Sequence, residues 1–161
     1  MNFKQHINKI KNKASSKLGF LKRQCSNFNN HFALKNIYFS IVRSQLEYAA
    51  FIWSPNSLIL NQTLDSVQNS FLRFLSYKCN VGRHSHSGYE GVSGFFNIPT
   101  LKNRRKYLAY IFLFNLLNNK IECQEILERL NFKAKIILTR NNDLFTLKNI
   151  RTNYSFSSPI N

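Results

Sequence analysis

The stretch NFKQHINKIKNKASSKLGFLKRQC, residues 2–25, decides the fold class. Its apolar residues Phe3, Ile7, Ile10, Ala14, Leu18, Leu21 and Cys25 recur at intervals of four and three. At about 100° per residue these positions fall in one narrow stripe, the pattern of an amphipathic α-helix, whereas a strand would alternate with a period of two. Lys4, Lys11 and Lys22 flank the stripe, while Lys9, Lys13, Lys17 and Arg23 spread over the opposite arc. The segment is therefore expected to bury one face and present a cationic one. Gly19 is its weak point, costing about 1 kcal/mol relative to Ala.

The same period continues outward. After a polar break at 26–30, a second helix is expected over about 31–52, burying Leu34, Ile37, Tyr38, Ile41, Val42 and Ala49. Pro55 stops it, and Asn56 or Ser57 is placed to cap a third helix over about 58–77, with Leu60, Leu64, Val67, Phe71, Leu72 and Leu75 inward. Short connections favour an antiparallel bundle. Residues 79–98 hold Gly82, Gly88, Gly91 and Gly94 with His84, Ser85, His86 and Ser87, and read as a linker or exposed loop. Pro99 and Thr100 open a fourth helix, with Thr100 as N-cap and Leu101, Leu108, Ile111, Phe112 and Leu117 as its buried face. A shorter fifth helix over about 122–131 carries Ile126, Leu127 and Leu130, and a short strand is expected at 136–138. The expectation is an all-α protein: a helical bundle over 1–78, a linker over 79–98, a helical segment over 99–132 and an irregular tail over 133–161.

Charge narrows the partners. The 161-residue chain has a formal net charge of +16, and its first acidic residue is Glu47, behind nine Lys and Arg. A field of this sign attracts polyanions and strains a compact fold by self-repulsion unless a partner neutralises it. Nucleic acid is the first expectation and an anionic membrane surface the second. The longest apolar stretch, Tyr107 to Leu117, is too short to span a bilayer and contains Asn115, so it reads as a core helix. Cys25, Cys79 and Cys123 are odd in number and far apart, and no signal peptide precedes the first helix. Free thiols in a reducing, intracellular setting follow, with cytoplasm and nucleus not distinguished.

Three strings stand in order along the first half of the chain: Asn12 to Arg23; Arg43-Ser44-Gln45-Leu46-Glu47-Tyr48-Ala49 with Trp53-Ser54-Pro55; and Val67-Gln68-Asn69-Ser70-Phe71-Leu72-Arg73-Phe74. Pro99-Thr100-Leu101 with Arg104 to Leu108, then Leu116 to Ile121, Arg140 to Phe145, Arg151 to Ser155 and Ser158 to Asn161, extend the series. In this order and spacing they resemble the thumb and C-terminal region of reverse transcriptases of non-LTR (LINE-type, jockey-like) retrotransposons. The resemblance covers nearly the whole chain, with no single string diagnostic. It implies a three-helix thumb-like bundle that holds nucleic acid, and a start that corresponds to a point just past the family's catalytic palm.

That family's Tyr/Phe-Ala-Asp-Asp palm motif is missing. Tyr48-Ala49-Ala50 is no degenerate copy of it, because the resemblance assigns this Tyr to the thumb-side string. Two-metal nucleotidyl transfer needs carboxylates converging on ions about 3.5–4 Å apart. The two aspartates, Asp65 and Asp143, lie on a predicted helix and in the tail. No catalysis, cofactor or metal is expected of this chain by itself. Cys79, His84 and His86 match no common zinc spacing, and neither a hydrolase motif nor a Gly-rich phosphate loop occurs.

The candidate binding residues are cationic. Lys and Arg on a helix face give sequence-independent affinity for phosphates, and an A-like RNA–DNA hybrid offers a backbone that a helix can follow by shape. The resemblance implies that role for Lys9, Lys13, Lys17, Lys22 and Arg23. Arg104, Arg105 and Lys106 cluster at a helix start, where cations gain nothing from the macrodipole, which makes them a second candidate phosphate contact. Solvated surface is the competing reading for both clusters. Arg43 and Glu47 read as an i, i+4 ion pair, and Tyr48 and Trp53 as core aromatics with one polar atom bonded, so all four are expected to be structural. Sequence-independent binding of a template–primer duplex or RNA is one functional expectation. Others are a structural fragment that docks on a missing palm domain, and a retroelement remnant without independent activity.

Overall fold

A computed structural model describes residues 3–55, 57–82, 88–128, 130, 132 and 145. The protein is all-α. Helix α1 runs Lys4–Gln24, α2 His31–Ile37, α3 Ser44–Glu47, α4 Ala50–Trp53, α5 Leu58–Lys78, α6 Glu90–Phe95, α7 Leu101–Leu117 and α8 Gln124–Leu127. Among the described residues the one β feature is an isolated antiparallel bridge between Phe132 and Phe145. The strand expected at 136–138 and most of the expected tail lie outside the described residues. Two compact units divide the chain, Met1–Leu108 and Ala109–Asn161.

The core of the first unit follows from the periodicity. Helix α1 buries Ile7, Ala14, Leu18 and Leu21, and packs on α5, which buries Leu64, Val67, Phe71, Leu72 and Leu75. Between α2 and α3 the helical path widens into a π-helical segment, Tyr38–Arg43. Its physical reason lies in the spacing of the buried residues Leu34, Tyr38, Val42 and Leu46, each four after the last. In a regular α-helix every step of four overshoots a full turn by about 40°, so such a series spirals off the contact face. The wider turn takes up that excess and keeps the stripe facing the core. Tyr38 stacks flat on Phe71 of α5, with centroids 3.9 Å apart and planes 3° off parallel.

The expected second helix does not run through to residue 52. It breaks at Tyr48–Ala49, where Ala49 takes the left-handed conformation at φ 50°. For a residue with a Cβ that geometry costs about 1–2 kcal/mol. The turn is offset by what it places. Trp53 becomes buried, its Nε1–H donates to the Tyr48 carbonyl at 2.9 Å, and its ring meets His6 of α1 edge-on at 5.8 Å. Ala49 itself is half-buried, as are Ile37 and Ile41, whereas Ala50 is buried.

The part of 79–98 read as loop needs a second correction. Residues 90–95 form α6 despite Gly91 and Gly94, and Val92, Phe96 and Ile98 join the core. Tertiary burial overrides weak local propensity there. Lys35 of α2 donates to the Phe96 carbonyl at 2.9 Å and ties the end of α6 in place. Three helices close alike. Asn80, Asn97 and Asn119 each take positive φ one residue past the cap. The following N–H groups, of Val81, Ile98 and Lys120, reach back to the carbonyls of Ser76, Ser93 and Asn115. These are Schellman closures in which Asn replaces the usual Gly. At helix starts, the Asn30 side chain accepts from the N–H groups of Phe32 and Ala33, and Thr100 Oγ1 accepts from Asn103 N–H. Ser57 occupies the N-cap position of α5 without a side-chain bond; its carbonyl accepts instead from the Asn61 amide.

In the second unit the described residues hold the remainder of α7 and the short α8. Lys120 lies over the Phe114 ring at 5.8 Å, and Ile126, Leu127 and Leu130 are half-buried.

Candidate nucleic-acid interface

The buried stripe of α1 fixes what its other side must do. Lys9, Lys13 and Arg23 are exposed and Lys17 half-exposed, on the arc opposite Ile7, Ala14, Leu18 and Leu21. Lys9 and Arg23 are fourteen residues apart, which at 1.5 Å per residue is roughly 21 Å of helix. Among the described residues, no acidic side chain lies within ion-pair distance of any of these four cations; the two ion pairs found there both use Glu47. Among the described residues the positive charge of this arc is therefore uncompensated.

Lys22 departs from this set. Its ammonium donates to Ser70 Oγ of α5 at 2.8 Å, and the side chain is half-buried. Burial in the first place, and the neighbouring Arg73 charge in the second, hold its pKa below the ordinary lysine value. Lys22 thus serves the α1–α5 contact.

The Arg104-Arg105-Lys106 cluster is split three ways by helical phase. Arg105, four residues after Leu101 on the inward stripe of α7, is only 3% exposed. Its Nη2 donates to Asn61 Oδ1 at 2.5 Å, and the Asn61 amide in turn donates to the carbonyls of Pro55 and Ser57. Burial lowers the Arg105 pKa, while the charges of Asp65 and Glu47 act against that. Arg104 donates to Glu47 Oε2 at 3.2 Å and lies over the Tyr107 ring. Lys106 alone of the three is exposed. The second phosphate-binding cluster expected from sequence is therefore corrected. Two of its three cations are engaged within the first unit, because a helix turns consecutive residues to different sides.

Around Glu47 the structure assembles a polar clasp. Its carboxylate takes Arg43 Nε at 2.5 Å on one oxygen and Arg104 on the other. Arg43 also donates through Nη2 to the Pro99 carbonyl at 3.0 Å and lies over the Phe39 ring. Gln68 of α5 donates to the same carbonyl, and Tyr38 donates to Gln68. Arg43 and Glu47 thus hold the start of α7 against two other helices. Trp53 is a buried aromatic with its N–H bonded, as its pattern indicates. Tyr48 is not: its side chain is 80% exposed, and its contribution is the backbone carbonyl that receives Trp53. The break at Tyr48–Ala49 swings that ring outward.

Among the described residues no cluster of titratable or nucleophilic side chains gathers into a reaction centre. A surface depression of about 540 Å³ near the end of α5 is lined, among the described residues, by Arg73, Ser76, Tyr77, Asn80, Val81, Gly82 and Tyr89, none of which carries a carboxylate, imidazole or thiol. Asp65 faces Arg105 and Lys102, and Asp143 lies outside the described residues, as do His84 and His86. Burial raises the Cys79 thiol pKa, which makes it a poorer nucleophile. Among the described residues no group of three or more His, Cys, Asp or Glu side chains comes together, and no helix is long and apolar enough to cross a membrane. Comparison with protein-family models, curated proteins and solved structures gives no match to the chain.

Proposed function

We propose that this chain is the nucleic-acid-holding part of a non-LTR retrotransposon reverse transcriptase, binding template–primer or RNA without sequence preference and performing no catalysis by itself. The observation that carries the reading is the solvent arc of α1. Lys9, Lys13, Lys17 and Arg23 share the outward side of α1 with no acidic partner among the described residues, in a chain of net charge +16. The ordered resemblance of the sequence supplies the identity of the partner; the arc supplies the physics. If each cation contacts one phosphate, log K falls with log salt at a slope of about −3.6 on B-form duplex and about −2.8 on single strands. Filter binding between 50 and 200 mM salt measures that slope. Replacing all four residues by Gln is expected to flatten it towards zero with little change in stability. Absence of binding to both RNA and RNA–DNA hybrid at 50 mM salt overturns the proposal.

A second reading, docking onto a separate palm domain, draws on another observation. Tyr48, Ile52, Leu58 and Ile59, large apolar residues on either side of Pro55 in the chain, are each more than half exposed. Side chains of this kind seek cover. On the docking reading the purified chain self-associates, and Ile52→Ser with Ile59→Ser restores a monomer in light scattering. A wild-type chain that stays monomeric at high concentration counts against it.

A further inference from the structure

Phe20 is 51% exposed although it sits on the most cationic element of the protein. Helical spacing places Ser16 and Lys17 one turn before it and Arg23 one turn after it, with Lys13 a turn further back. It is thus the single large apolar side chain on the outward arc of Lys9, Lys13, Lys17 and Arg23. A methyl group built at Gly19 would lie 3.6 Å from Nη1 of Arg23, so that guanidinium leans back along the helix over Gly19, as long helical side chains do.

A lone exposed phenylalanine needs no explanation on most surfaces. Here its neighbours give it one. Cations spaced along a helix track a phosphate backbone, and a π-face set among them is what an unpaired base stacks on. A base-paired duplex offers no free base face, so Phe20 contributes little to it.

We infer that Phe20 is a base-stacking residue, and that the α1 surface holds single-stranded nucleic acid in preference to duplex. The inference rests on the nucleic-acid reading above and goes beyond it by naming strandedness as what the site distinguishes. Ribose and deoxyribose strands present the same phosphate and base chemistry to Lys and Phe, so both are included in the test.

The experiment measures binding of the full chain to 20-nucleotide oligo(U), 20-nucleotide oligo(dT) and a 20-base-pair RNA–DNA hybrid at 100 mM salt, for wild type, Phe20→Ala, Phe20→Leu and Phe20→Trp. One stacked base is expected to contribute about 5- to 150-fold in affinity. Phe20→Ala and Phe20→Leu should therefore weaken single-strand binding by about five-fold or more, with the salt slope unchanged and hybrid binding within two-fold. Phe20→Trp should retain affinity and give indole fluorescence that single strands quench and the hybrid does not. Thermal melts by circular dichroism verify that each variant is folded. Loss on oligo(U) only identifies the ligand as RNA and supports the inference. A Leu variant that binds like wild type overturns stacking, as does an equal loss on hybrid or an unquenched Trp. Tighter binding to phosphatidylserine vesicles than to either strand, released by Phe20→Ala, reassigns the residue to a membrane surface and overturns the inference. Failure of wild type to bind any nucleic acid removes the underlying reading. Wild-type binding that is indifferent to Phe20 removes this inference alone.

Discussion

Replacing Glu47 by Gln tests the clasp at its centre. Glu47 is the shared anion of two arginines, with side-chain exposures of 5% for Arg43, 15% for Glu47 and 38% for Arg104. Neutralising the carboxylate leaves Arg43 charged and buried, and its Nη1 has no hydrogen-bond partner among the described residues. Removing one member of a buried ion pair costs about 3–5 kcal/mol. Two contacts soften that cost, since Arg43 keeps the Pro99 carbonyl and the Phe39 face. The expected loss is therefore near the lower end, about 3 kcal/mol, or roughly 6–12 °C in Tm for a chain of this length. Urea denaturation followed by far-UV circular dichroism gives the free energy directly. Arg104→Met is the internal control: its guanidinium is more open to water, and such pairs contribute about 0.2–1 kcal/mol. The variants should rank with Glu47→Gln clearly worse. Combining Arg43→Met with Glu47→Gln should recover part of the loss, because no unpaired charge remains inside. A Glu47→Gln cost below about 0.5 kcal/mol, or a larger cost for Arg104→Met, would refute the reasoning.

Other perturbations separate the remaining assignments. Arg105→Ala should lose about 1.5–3 kcal/mol of stability with its charge-assisted bond to Asn61, yet bind oligo(U) within two-fold of wild type. Lys106→Ala should stay within about 0.5 kcal/mol in the same denaturation assay. Two exchanges in opposite directions should both stabilise by up to about 1 kcal/mol in thermal melts: Gly19→Ala, whose new methyl meets only the Arg23 side chain, and Ala49→Gly, which relieves the left-handed backbone. Asp65 gives a pH signature. Burial raises its pKa above 3.8, with Arg105 and Lys102 opposing. The folded state therefore holds that proton more tightly than the unfolded chain, and stability falls as pH rises from 3.8 through the raised folded value. Asp65→Asn abolishes this slope, so its stability relative to wild type should improve across that window and hold constant above it.

Much of this fold is legible in the sequence, for reasons that also mark where reading stops. Helices α1 and α5 announce themselves because their apolar residues keep one angular phase over several turns. Helix α7 is apolar on most sides, so the pattern misplaces its inward face: Leu101 is buried and Leu108 and Phe112 half-buried as expected, but Ile111 and Leu117 are exposed and Leu116, which shares the phase of Leu101, is buried instead. The turn at Ala49 carries no Gly, Asn or Pro; it exists because a buried Trp53 requires it, a tertiary cause that local pattern does not display. Helix α6 was hidden by its glycines for the converse reason, since Val92, Phe96 and Ile98 find a core to enter. On the functional side, the outward cations of α1 follow from the same phase that predicts its buried stripe. The fate of Arg105 was also open to reading: it stands four after Leu101 and three before Leu108, on the apolar stripe. The asparagines at 80, 97 and 119, each just past an apolar helical run, were a further signal of helix ends.

The widened turn at Tyr38–Arg43 gives this helical run one place that tolerates a shorter chain. A π segment is equivalent to an α-helix carrying one surplus residue, so excising Ser40 lets the hydrogen-bond ladder close in the ordinary way. The buried series Leu34, Tyr38, Val42, Leu46 then falls at steps of four, three and four, which a regular α-helix keeps on one face. Leu46 stays inside, and Glu47 stays within reach of Arg104. Excising one residue from the middle of α1 or α5, which store no spare position, instead turns everything after it by about 100° and scatters the buried stripe.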